Sequence, residues 1–222
     1  FLYNIKPTKL MFLFFKKLFR IFSDNHKVMQ PTALGRKYYP LVKTAAVHEA
    51  GHAFGAYLAN WKVKTVCVLH ANEKLETAST EYNYGQDTQL VYKIETYLSN
   101  PQIFETLDGK EQSQVLEILD RRLILVHAGP IAEQKLNNIP TLIDVLHKDS
   151  LDLKRIEFIE NFLNENNLDA YEVSRRAIHT IKKHFSVPET WEKVLALGEM
   201  LETENKKIDS TKVESFCLDQ FV

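Results

Sequence analysis

The stretch LVKTAAVHEAGHAFGAYLA, Leu41 to Ala59, is rich in alanine, follows Pro40 and runs into Asn60. A proline before the first turn and an asparagine after the last are helix start and stop signals, so the spacing predicts one helix. Inside it lies His48-Glu49-Ala50-Gly51-His52, an HExxH pattern. Four residues make about one helical turn, so His48 and His52 project from one face and could place two imidazole nitrogens on one metal ion. Glu49 is rotated by about 100° from His48, where a carboxylate takes a proton from a metal-activated water without being a ligand. The competing reading is a helix with two ordinary histidines, one in the core and one in water. Gly51 and Gly55 weigh against it, because a glycine within a helix costs about 1 kcal/mol relative to alanine and needs a reason such as the close approach of another backbone. The β-branched run VKTVCVL, Val63 to Leu69, predicts a strand and is the neighbour expected to make that approach, with an open edge for an extended substrate.

A catalytic metal needs a third protein ligand and an open position. Position 58 is Leu58, so the HExxHxxGxxH class is excluded and a carboxylate must complete the set. The candidates are Glu133, Asp149 and Asp152. Asp152 shares a helical face with Ile156, Ile159 and Leu163, so it points with an apolar stripe toward the core, where a carboxylate needs a partner such as a metal ion. Its alternative role is to favour the helix dipole behind Asp149 as N-cap. Spacing alone leaves all three open.

Outward from these motifs, 222 residues with 45% hydrophobic and 11% aromatic content can bury a core as one large domain or two small ones. Charge is balanced at 28 basic against 29 acidic residues, which disfavours nucleic acid as a partner. Two distant cysteines, Cys67 and Cys217, exclude a disulfide scaffold and a CxxC metal site and fit a reducing, intracellular compartment, cytoplasmic or peripheral to a membrane. Seven glycines and seven prolines argue against a many-stranded fold, so the expected class is mainly α with a small β-sheet or hairpin. Residues 1–39 read as a basic-aromatic segment and connector, and residues 40–222 as the folded domain. No run is long enough to span a bilayer, although residues 9–22 suit contact with an anionic membrane surface or packing on protein. His70 to Gly85 reads as a hairpin partner or loop. Helical patterns follow at Thr88 to Leu98, at Glu111 to about Asn137 with an interruption at Gly129-Pro130, and in four segments between Ser150 and Phe221.

Together, His48-Glu49-Ala50-Gly51-His52-Ala53 and the strand Val63-Lys64-Thr65-Val66-Cys67-Val68 resemble the peptidase module of the FtsH-type ATP-dependent zinc metalloproteases, marked by HEAGHA before a V-x-K-V-T-I strand. Ala128-Gly129-Pro130-Ile131-Ala132-Glu133 is similar to that family's A-G-R-x-A-E helix, and Ser150-Leu151-Asp152-Leu153 to its S-N-D-L. Leu201-Glu202-Thr203-Glu204 resembles its closing L-L-E-x-E-T-L pattern, so the likeness covers roughly residues 40–222. It implies that His48, His52 and Asp152 ligate Zn2+, that Glu49 is the general base, that the substrate is a peptide or unfolded protein, and that the assembly is a homo-oligomer, a hexamer in the family. Pro130 stands where the family has Arg and Leu151 where it has Asn, with extra length between Thr77 and Gln112. No GxxxxGK[ST] loop occurs in these 222 residues, so ATP-driven feeding would come from a separate AAA ATPase. The expected activity is that of a zinc metalloendopeptidase; the alternative is a non-catalytic zinc-binding subunit that partners a full-length protease.

Overall fold

The computed structural model describes residues 41–72, 74–146 and 150–217. The segment 1–39, the stretch 9–22 within it and Asp149 lie outside the described residues. Helix α1 (Leu41–Leu58) is buried on almost every side, from Val42 to Ala56. A helix that is apolar all round belongs at the centre of a fold, and α1 occupies that place between α3 (Gly109–Leu136) and α6 (Pro188–Glu204). Its small residues set the distance. A Cβ on Gly51 would lie 2.6 Å from the Ala128 carbonyl oxygen, and one on Gly55 2.5 Å from Ala128 Cβ. Toward α6, Gly198 makes the same room for Val47, 2.8 Å from its Cγ2. The close neighbour that α1 needs its glycines for is therefore the helix α3, not the strand that the sequence suggested.

That strand, β1 (Lys62–Ala71), pairs antiparallel with β2 (Lys74–Asn83) and with the short β3 (Lys207–Asp209), in the order β2-β1-β3. It is the central strand, so the expectation that it offers an open edge is corrected. Val63, Val66 and Val68 are all buried. The register shifts between Val63 and Thr65, and the extra residue brings Val63 onto the face of Val66 and Val68. The outer strands are β2 and the short β3, and Ala78, Thr80 and Tyr82 of β2 alternate inward toward α1.

Between β2 and α3 lie α2 (Thr88–Ser99) and a 3-10 turn at Pro101–Thr106. Phe104 of that turn meets Phe162 edge to face, with centroids 5.4 Å apart. Asp87 accepts from Trp61 Nε1 and from an Arg121 guanidinium nitrogen, each at 2.8 Å, and ties the start of the sheet to α3. Helix α3 starts two residues earlier than periodicity indicated, because Asp108 and Glu111 form a reciprocal capping box. It also runs through Pro130 without a break. A proline inside a helix costs about 3 kcal/mol, but α3 is held between α1 on one side and α5 (Ala170–Phe185) on the other, and that packing wins. Helix α4 (Leu151–Glu165) is capped by Ser150, whose hydroxyl accepts from the Leu153 amide at 3.1 Å. The cap is therefore Ser150 and not Asp149. Helix α7 (Ser210–Cys217) closes the described chain. The fold is mainly helical with a three-stranded antiparallel sheet, and among the described residues no helix is long and apolar enough to cross a membrane.

Candidate metal centre

One turn of α1 brings His48 and His52 together with their Nε2 atoms 3.0 Å apart. The start of α4 brings Asp152 Oδ2 to 3.1 Å from His48 Nε2 and 3.3 Å from His52 Nε2. The other ring nitrogens are spoken for. His48 Nδ1 faces Glu133 Oε2 at 3.0 Å and His52 Nδ1 faces the Leu125 carbonyl at 2.9 Å. A carboxylate and a carbonyl only accept, so both Nδ1 atoms donate, and in the neutral imidazoles both Nε2 atoms carry a lone pair. Two imidazole lone pairs and a carboxylate oxygen thus converge on one point.

Three acceptors at such distances repel each other unless a cation lies among them. An ion held at about 2.0–2.2 Å in tetrahedral geometry would set its donors about 3.3–3.6 Å apart, close to the separations here. The donor set fits, and His48, His52 and Asp152 could hold a metal ion. Gly129 of α3 supports the fit, because a Cβ there would stand 2.7 Å from His48 Nε2 and 2.5 Å from His52 Nε2. Titration behaviour follows the same electrostatics. Burial works against a charge on His48, but the Asp152 and Glu133 carboxylates prevail and raise its pKa well above the ordinary histidine value. Burial likewise opposes charge on Asp152, and the two imidazoles overcome it and hold the carboxyl well below its usual range. A proton here is the smallest cation that the cluster accepts. The second oxygen of Asp152, Oδ1, is buried without a hydrogen bond and lies 3.8 Å from the Arg155 guanidinium.

Glu49 is only 3% exposed and does not join the three donors. Its Oε2 accepts a hydrogen bond from Thr80 Oγ1 at 2.7 Å, across from β2. Tyr82, two residues along the same strand face, has its phenol pKa raised well above 10 by burial first and then by the Glu49 charge.

Of the sequence candidates, the structure unites His48, His52 and Asp152, sets the Glu49 carboxylate against Thr80, and puts Glu133 on the far nitrogen of His48. Thr80, the Leu125 carbonyl and the clearance at Gly129 were missed by sequence reasoning. Thr80 lies 31 residues from Glu49 and carried no local signal. No protein-family model and no curated protein matches this chain.

Proposed function

We propose that the chain is a zinc-dependent metalloendopeptidase domain related to the FtsH-type peptidases, with Glu49 as general base and a peptide or unfolded protein as substrate. The observation that carries this reading is the convergence of two lone-pair nitrogens and one carboxylate oxygen at 3.0–3.3 Å, with an uncoordinated glutamate at the next helical position. Two nitrogens and one carboxylate oxygen suit zinc, which in a catalytic site takes its fourth ligand from water or substrate. Bound zinc supplies Lewis acidity toward the scissile carbonyl and lowers the pKa of water. His48, His52 and Asp152 hold it, while Glu133 and the Leu125 carbonyl fix the two imidazole tautomers and ring orientations. Glu49 takes the proton of the attacking water on its carboxylate and returns it to the leaving nitrogen. An extended substrate adds to the free edge of β2, the strand that touches Glu49, so a folded protein is not cleaved until something opens it. A separate AAA ATPase and a homo-oligomeric ring, six-membered as in the family resembled, would serve that purpose.

Metal analysis and casein hydrolysis test the proposal together. The purified chain should hold about one zinc, and Glu49→Gln should keep it while hydrolysis falls about a hundred- to ten-thousandfold. Asp152→Ala should lose the metal, and Asp149→Ala should retain it. Zinc lost from the Asp149 variant and kept in the Asp152 variant, or hydrolysis that survives Glu49→Gln, would overturn the assignment.

A further inference from the structure

Glu49 must present one carboxylate oxygen to a water, yet a glutamate has three side-chain torsions and a broad terminal one. A restraint comes from the sheet: Thr80 Oγ1 donates to Oε2 at 2.7 Å and lies 3.4 Å from the Glu49 carbonyl oxygen. Thr80 is itself well anchored. It pairs with Val66 of the central strand, which is fully buried and pairs on its other side with Ile208 of β3. A β-branched residue in a strand is stiff about χ1, so the hydroxyl direction is set by the sheet. The donor is also neutral. A hydroxyl orients the carboxylate without placing a second charge beside it.

We propose that Thr80 is a positioning residue for Glu49: its hydroxyl engages Oε2 and leaves Oε1 as the atom that takes the proton. This role rests on the peptidase reading above. It also fixes the base relative to β2, so the strand that would receive the substrate sets where the proton acceptor stands.

Removal of a hydrogen bond to a charged group corresponds to about a ten- to hundredfold loss, so kcat of Thr80→Val on a peptide substrate should fall by that factor. KM should stay within about twofold, since ground-state binding is untouched. Thr80→Ser restores the hydroxyl and should restore most of kcat. Both variants should carry one zinc. Binding of a peptide hydroxamate, which uses the metal and a hydrogen bond to the base but no turnover, should weaken about tenfold in Thr80→Val and not in Thr80→Ser. Should the valine variant prove insoluble, Thr80→Ala carries the same expectations. Wild-type kcat in Thr80→Val, a serine variant as impaired as the valine one, or a loss confined to KM would overturn the role. Hydrolysis abolished by Glu49→Gln yet untouched by Thr80→Val removes only this inference; hydrolysis indifferent to Glu49→Gln removes the peptidase reading and this role with it.

Discussion

His127 on α3 is 2% exposed, and neither of its ring nitrogens has a hydrogen-bond partner among the described residues. Burial lowers its pKa to about 4, against the opposing pull of Asp152. The folded state therefore binds this proton less well than the unfolded chain, in which histidine titrates near 6.5. The stability that depends on a neutral His127 is present above pH 6.5 and is lost as pH falls from there to about 4, by about 3 kcal/mol in total. His127→Leu should remove that part of the acid-side decline and raise stability at neutral pH by about 1–3 kcal/mol, because two unpaired buried polar atoms disappear. Urea titrations of both chains in chelator between pH 4 and 7 check this, and parallel curves would refute it. Residue by residue, the sequence was most legible where a role is local. The spacing of His48, Glu49 and His52 is fixed within one turn, and the apolar face of Asp152 could be read from Ile156, Ile159 and Leu163. Thr80 and the Leu125 carbonyl act across the fold, so no spacing encodes them. Glu133 was legible as a polar residue at the site, but which side of His48 it serves depends on how α3 crosses α1.

Helices and strands were legible in kind and less so in placement. The proline, alanine and asparagine signals located α1, and alternation located β1, because both depend on neighbours in sequence. Whether β1 is an edge depends on β3, which arrives from 140 positions later through the pairing of Cys67 with Lys207. Continuity of α3 through Pro130 likewise rests on packing rather than propensity. Gly51→Ala tests that balance. Alanine improves helix propensity by about 1 kcal/mol, yet its Cβ would press on the Ala128 carbonyl oxygen at 2.6 Å, a backbone atom that can retreat only if α3 moves. The expected result is a net loss of about 1–3 kcal/mol in chemical denaturation, accompanied by weaker metal binding, since α3 carries the hydrogen-bond partners of both imidazoles. A gain in stability would mean that α1 and α3 are less tightly joined than their contacts indicate.

Across the whole molecule, composition made the mainly helical class legible, while the meeting of α1 with α4 was signalled only through Asp152, by its apolar face and by the resemblance at Ser150 to Leu153, and both helices also pack on α3. A metal ion bridging α1 and α4 should therefore tighten the entire domain. At a thousandfold excess of free metal over its Kd the gain is about 4 kcal/mol, which for a chain of this size is about 10 °C in Tm. Chelator should lower the Tm of the wild type by that order and leave Asp152→Ala unmoved; equal shifts in both would place the metal elsewhere. The order of the donors along the chain bears on how the protein is made. Synthesis delivers His48 and His52 first, and Asp152 follows 104 and 100 positions later. Until it emerges, the nascent chain offers the two imidazoles without Asp152, and Ser150 has not yet set the turn that presents it. On the proposed reading a growing chain is a protease only once α4 has been translated, so it does not digest itself or its neighbours while it is still being built.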